Sequence, residues 1–399
     1  MLSDNSINDL VAALLDTATP FPPKLLYQFS DLTREDLRVL SQAWADVPVA
    51  RRRDLLSDLI ELSEKDNLLL FEGLGQMALD DSDDEVVIRA IDLLFEDPQR
   101  RLLPVYQALL KASERKAELR AAAANALSAF IYLGEIEKLP EAQLHEVEEA
   151  LLSAYAQDSS SLVRRRAMES LGFSSRKEVP ALLRAAAAQD DDWLESALFA
   201  MGRSADQIWE EHVLENLDHE TLPVQLQAIH AAGELSLGTA RAPLMKLLAH
   251  SHLESDLKQE AIWALSQIGG EGVEELFERL MARTGDEDEL RTLEEAMDTL
   301  NFTNDGTLYD LMDIDEDDED EDGNNGHRHH HHHRDDEDDD DETDDDYDPS
   351  QDPEWLTYVG EMEDDEDEDE DEGYYEIDED DLGPLLTSGD LDPEDGPEK

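Results

Sequence analysis

Val163-Arg-Arg-Arg-Ala-Met-Glu-Ser-Leu-Gly172, Trp193-Leu-Glu-Ser-Ala-Leu-Phe-Ala-Met-Gly202, Val224-Gln-Leu-Gln-Ala-Ile-His-Ala-Ala-Gly233 and Leu257-Lys-Gln-Glu-Ala-Ile-Trp-Ala-Leu-Ser266 align without a gap. Their fifth residues, Ala167, Ala197, Ala228 and Ala261, are 30, 31 and 33 residues apart. A period of this size marks a chain built from stacked supersecondary units rather than one globular core. The phase continues outward to Leu290-Arg-Thr-Leu-Glu294 on one side, and to Ala123 and Ala90 on the other after steps of 44 and 33 residues. The long step predicts an inserted loop near Gly134 to Leu139.

A second amphipathic stretch precedes each anchor. Three of these carry proline in nearly the same phase, at Pro104, Pro180 and Pro243, which is compatible with a first helical turn. In Leu182, Leu183, Ala186 and Ala187 the apolar spacing marks one buried stripe of a helix. Strand-like alternation is missing, so each period reads helix, turn, helix. Small residues at the anchors let paired helices approach closely, and Gly172, Gly202 and Gly233 fall where a left-handed helix cap is expected.

This Val-Arg-x-x-Ala-x-x-x-Leu-Gly pattern, followed by x-Pro-Ala-Leu-Leu, resembles the HEAT-repeat superfamily, especially the HEAT-like repeats of phycobilisome lyases and bacterial scaffold proteins. The resemblance covers roughly residues 66 to 301, and weaker pairs at Thr33 to Leu62 extend it. It implies an all-α solenoid, a curved superhelix of about seven to eight helix pairs whose concave face binds proteins. Glu294 at an anchor and Ser266 in place of glycine depart from the pattern, as expected of a polar terminal cap. The expected organisation is an N-terminal helical cap and weak first repeat over 1–65, the solenoid over 66–302 and a disordered tail over 303–399.

Charge divides the chain the same way. Residues 1–300 hold 57 acidic against 28 basic side chains, and residues 301–399 hold 46 against 3. Such a field opposes nucleic acid and anionic membranes and favours basic protein partners. With no cysteine, disulfides, thiolate metal sites and cysteine nucleophiles are excluded. No secretory signal and no apolar run of membrane-spanning length is found, so the expected location is the cytoplasm.

Stacking would align the turns along two edges. Turns inside pairs carry Asp80, Asp81, Asp83, Asp84, Asp158, Asp190 to Asp192, Asp218, Glu220, Glu254, Asp256 and Asp286 to Glu289, and helix capping accounts for most of them. Turns between pairs carry Arg100, Arg101, Lys138, Arg176, Lys177, Arg203 and Arg241. Of these, Arg176, Lys177, Arg203 and Arg241 are candidate partner-binding residues. Arg120, Arg164 and Arg291, like the run Arg51 to Arg53, suit ladder contacts between repeats, a use the HEAT resemblance also implies. Trp193, Trp209 and Trp263 read as packing residues, with an exposed one a candidate binding hot spot. His250, His252, Glu254 and Asp256, with His219 one repeat earlier, have metal-ligand composition on no fixed template, and a solvated turn is the expected reading.

In the tail, low hydrophobicity and extreme charge predict disorder. His327 to His333 is histidine-rich and suited to weak binding of transition metals. Three apolar islands interrupt the acid: Leu308 to Ile314, Trp355 to Val359, and Tyr374 onward to Leu386. Trp355 and Tyr358 are therefore candidate partner-binding residues, and the islands are equally candidates for docking on the solenoid's own groove. No catalytic spacing and no cofactor motif is found, which predicts a non-enzymatic interaction scaffold modulated by the tail. The alternatives are a lyase-like accessory factor in cofactor or pigment attachment and a chaperone for a basic client; a repair enzyme acting on DNA would need a basic groove.

Overall fold

A computed structural model describes residues 7–95, 98–250 and 253–304. Two short helices, α1 (Ile7–Leu15) and α2 (Pro23–Leu26), precede eight helix pairs: α3 (Arg34–Trp44) with α4 (Val49–Ser63), α5 (Glu72–Ala78) with α6 (Asp84–Leu93), α7 (Leu103–Lys111) with α8 (Ala117–Ala126), then, after the extra helix α9 (Ser128–Glu135), α10 (Glu141–Gln157) with α11 (Ser161–Leu171), α12 (Val179–Ala187) with α13 (Asp191–Arg203), α14 (Glu210–Glu215) with α15 (Leu222–Glu234), α16 (Arg241–Leu248) with α17 (Ser255–Ile268), and α18 (Val273–Met281) with α19 (Glu287–Asn304). No strand occurs among the described residues. The tail with Trp355, Tyr358, the His-rich tract and the three islands lies outside the described residues, as does His252.

The pairs form one all-α solenoid of two layers. Each second helix (α4, α6, α8, α11, α13, α15, α17, α19) packs against the next, whereas the first helices of successive pairs meet at few points. We call this closely packed layer of second helices the inner side. A single apolar cluster runs the length of the stack, from Leu10 to Leu300. The anchors Ala90, Ala123, Ala167, Ala197, Ala228 and Ala261 all have no exposed surface.

The glycines have a different role from the expected left-handed cap. Gly172 has φ −56°, and the positive-φ glycines among the described residues are Gly269, Gly270 and Gly272. What Gly172 and Gly233 provide is close approach between second helices. A Cβ on Gly172 would sit 2.6 Å from the carbonyl oxygen and 2.8 Å from the Cα of Ala200; one on Gly233 would sit 2.9 Å from the Cα of Ala264. A Cβ on Gly202 would likewise sit 3.1 Å from the Cα of Ala231. Three positions after Gly202, Gly233 and Ser266, but not after Gly172, the backbone turns to positive φ, at Ala205 (φ 52°), Ser236 (φ 48°) and Gly269 (φ 60°). For Ala205 this backbone carries a steric cost that glycine lacks, so Ala205→Gly is expected to raise stability by up to about 1 kcal/mol in chemical denaturation.

Two further expectations are corrected. A turn does lie over residues 136–140, within the expected loop, but most of the long step is the helix α9 before it, whose Phe130 and Ile131 are fully buried and hold it to the core. In α19 the 33-residue step overshoots by one: Glu294 is exposed, and Leu293, Ala296 and Leu300 fill the interior.

Candidate protein-binding surface

Capping and inter-repeat ion pairs occupy the acidic edge. Asp83 and Asp190 accept from the backbone N–H of Val86 and Trp193, and Asp286 accepts from Asp288 and Glu289. The same turns receive cations from neighbouring pairs. Arg53 donates to both oxygens of Asp83 at 2.8 and 2.6 Å, and Arg115 reaches Asp84 at 2.5 Å. Arg120 donates through Nε and Nη2 to Asp158 at 2.9 and 2.8 Å. Arg52 with Asp81, and Lys258 with Glu289, make further rungs. Arg120 therefore has the ladder use; Arg291 instead pairs within its own helix with Asp288, and Arg164 lies over the Trp193 ring at 5.5 Å.

On the opposite edge the four candidate cations have unlike surroundings. Arg176 is held by Glu149 at 2.6 Å and by Glu178 at 2.5 Å, with Glu148 at 3.8 Å. Lys177 is exposed. Arg241 donates to the carbonyl of Gly269 at 3.2 Å. Arg203 is half-buried, its guanidinium 4.0 Å from the Phe199 ring centroid and 4.9 Å from that of Phe173. Burial pulls its pKa down, opposed by Glu234 and Glu169.

Arg203 belongs to a stripe on the inner side of the second helices, which none of the edge residues predicts. Three columns of the repeat contribute, at one residue before each anchor and two and six after it, the i, i+3, i+7 spacing of one helix face. They bring together Arg166, Glu169 and Phe173; Phe199 and Arg203; His230 and Glu234; and Glu260 and Trp263. Arg166 pairs with the buried Glu169. His230 stacks on the Trp263 ring, with centroids 4.4 Å apart and planes 11° from parallel. Its Nδ1 lies 2.8 Å from Glu260 and its Nε2 3.5 Å from Glu234. Tyr132 of α9, half exposed, meets Phe173 edge-on at 5.7 Å.

Sequence comparison places residues 210–300 in the family of HEAT repeats. Residues 210–300 carry HEAT repeats. Comparison with curated protein sequences finds no match. Among solved structures, the chain is similar to the CpcE–CpcF complex of phycocyanin lyase from Nostoc sp. PCC7120, at 20% identity over 58% of this chain and 95% of that one, with a TM-score of 0.39. It is also similar to human deoxyhypusine hydroxylase, at 15% identity over 74% and 96% with a TM-score of 0.29, and to a designed armadillo repeat protein in complex with a (KR)4 peptide, at 18% over 57% and 98% with a TM-score of 0.26. These likenesses concern helical-repeat architecture, and no activity follows from them.

Within the solenoid, Trp193 and Trp209 are core residues at 7% and 1% exposure, and Trp263 alone of the three reaches the inner surface. His219 accepts from the N–H of Thr221 at 3.1 Å and so closes its own turn. Among the described residues no three histidine or carboxylate side chains gather around a metal position, and no helix is long and apolar enough to cross a membrane.

The His230 rung also sets a pH dependence. Burial lowers its pKa, but hydrogen bonds and charge from Glu234 and Glu260 raise it further, to about 9. A folded-state value above the unfolded one, about 6.5, makes the rung fully stabilising below pH about 6.5 and progressively lost as pH rises through about 9. Thermal unfolding of the protein and of His230→Gln is expected to differ most near pH 6 and to converge above pH about 10.

Proposed function

We propose that the protein is a non-catalytic scaffold that binds other proteins on the inner face of its second helices. One observation carries the reading: across four consecutive repeats that face presents Phe173, Phe199, Trp263, Arg203 and His230 at helical spacing, each held by a neighbour. Aromatic and arginine side chains fixed in advance lose little entropy on binding and are the usual carriers of interface energy. Ionisable groups there are engaged with one another, as in Arg166 with Glu169 and His230 with Glu260, which suits recognition rather than proton transfer.

The charge balance selects partners. With 57 acidic against 28 basic side chains over residues 1–300, and 46 against 3 beyond, a cationic protein is attracted and steered. A cytoplasmic location fits this role, and the acidic tail with Trp355 and Tyr358 would add to the field or compete for the face. Arg176, Lys177 and Arg241 would then border the site, with Arg203 inside it.

Crosslinking mass spectrometry in native lysate tests the reading. Proteins crosslinked to wild type are expected to be lost with Phe199→Ala/Trp263→Ala, whose helical signal should be unchanged. An identical set of partners from both chains would end it.

A further inference from the structure

At the other end of the stack, a groove of about 540 Å³ opens between the ends of α4 and α6 and the link that joins α4 to α5. Ile60, Leu69, Leu70, Phe71, Leu93 and Leu94 give it an apolar floor and walls. Its charged lining is of one sign among the described residues: Glu64, Glu72 and Asp92 face it, and no described lysine, arginine or histidine does. Arg101 offsets Glu72. Asp92 is exposed at the rim, where the packed protein beside it pushes its carboxyl pKa up against the opposing pull of Arg89.

The link itself is unusual. Leu68 is 86% exposed and Leu70 59%, the two most exposed large apolar side chains among the described residues. They are not on a slack loop, because the backbone is pinned on both sides: Leu68 N–H donates to Asp66, Leu70 N–H to Ser30 Oγ, and the Leu70 carbonyl accepts from Asp31. Leu70 and Glu72 also line a second hollow of about 210 Å³ on the far side of the link. An ordered segment that holds leucines in water beside a groove is a preformed apolar contact.

We propose that this groove docks an amphipathic segment of another protein, which sets apolar side chains against Leu68, Leu70 and Leu93 and lysine or arginine beside Glu64 and Asp92. Charge decides the occupant. The chain's own tail offers apolar islands, but its 46 carboxylates against 3 cations are repelled by this lining, whereas a cationic segment is drawn to it. A second copy of this acidic solenoid is disfavoured in the same way. The site does not depend on the inner-face reading, from which it differs in residues and position.

The test is hydrogen exchange of the full chain at about 0.15 M salt with three synthetic probes: a leucine–lysine amphipathic peptide, a lysine–serine peptide of equal charge, and a peptide of the chain's own residues 353–361. The leucine–lysine peptide is expected to slow exchange of residues 64–71 about tenfold, with little effect from the other two. The protection should vanish in Leu68→Ser/Leu70→Ser, which alters only exposed side chains, and persist in Phe199→Ala/Trp263→Ala. Protection that survives the leucine substitutions, equal protection by the lysine–serine peptide, or stronger protection by residues 353–361 would each overturn the proposal; so would no protection by any probe.

Discussion

Asp158→Ala is expected to cost about 3 kcal/mol of unfolding free energy, near the lower bound for breaking a buried ion pair. The Arg120 side chain is only 7% exposed and that of Asp158 13%, so the guanidinium left behind stays out of water with two of its donors unpaired. Asp158 also accepts from the N–H of Ser160 and so caps the turn into α11. The interaction is therefore a joint between repeats, and its loss should uncouple the two halves of the stack. Urea denaturation followed by helical signal is expected to show a lower midpoint and a broader transition. Acid should mimic the mutation. Arg120 and the Ser160 N–H hold the Asp158 pKa below the usual carboxylate range, with Arg120 the larger influence. A depressed folded-state pKa means that this stabilisation is present above the unfolded value, about 3.9, and is lost as pH falls through the folded one.

Gly172→Ala is the second large effect, at about 2–3 kcal/mol or more. The added methyl would meet the backbone of Ala200 at 2.6 Å, and neither helix can yield by a rotamer change. Gly238→Ala is the matched control, since its Cβ meets nothing within 4 Å and its backbone is not left-handed. Thermal unfolding of the two variants should therefore separate clearly, with Gly238→Ala unchanged or slightly stabilised. Were Gly172 only a helix cap, its replacement would be far milder.

That contrast also shows where the sequence was ambiguous. The alanine anchors were legible because burial acts at one column of every repeat, and all six alanines have no exposed surface. A glycine at a fixed column has two physical uses, positive φ and close approach, and only the neighbouring helix distinguishes them. Ala200, Ala231 and Ala264 complete the seam from the next repeat. Helix α9 was hidden because it has no counterpart in other repeats, so periodicity could not report it.

The inner stripe went unread for a different reason. His230 and Glu260, or Arg203 and Glu234, are about thirty residues apart and interact only after stacking. A signal was nevertheless present two columns beyond the anchor, where Glu169, Phe199, His230 and Trp263 follow one another where a buried column would be aliphatic. Reading the outward columns of a repeat, as well as the buried ones, would have found the face. The four edge cations drew attention because charge is visible in a sequence, whereas the carboxylates that surround Arg176 come partly from α10 and are not.

Site-specific photocrosslinking decides the central claim most directly. A photoreactive residue at Phe199, on the inner layer, is predicted to form protein adducts in native lysate that the same residue at the exposed Ala185 of α12, on the outer layer, does not. Adducts from position 185 with none from position 199 would contradict the account.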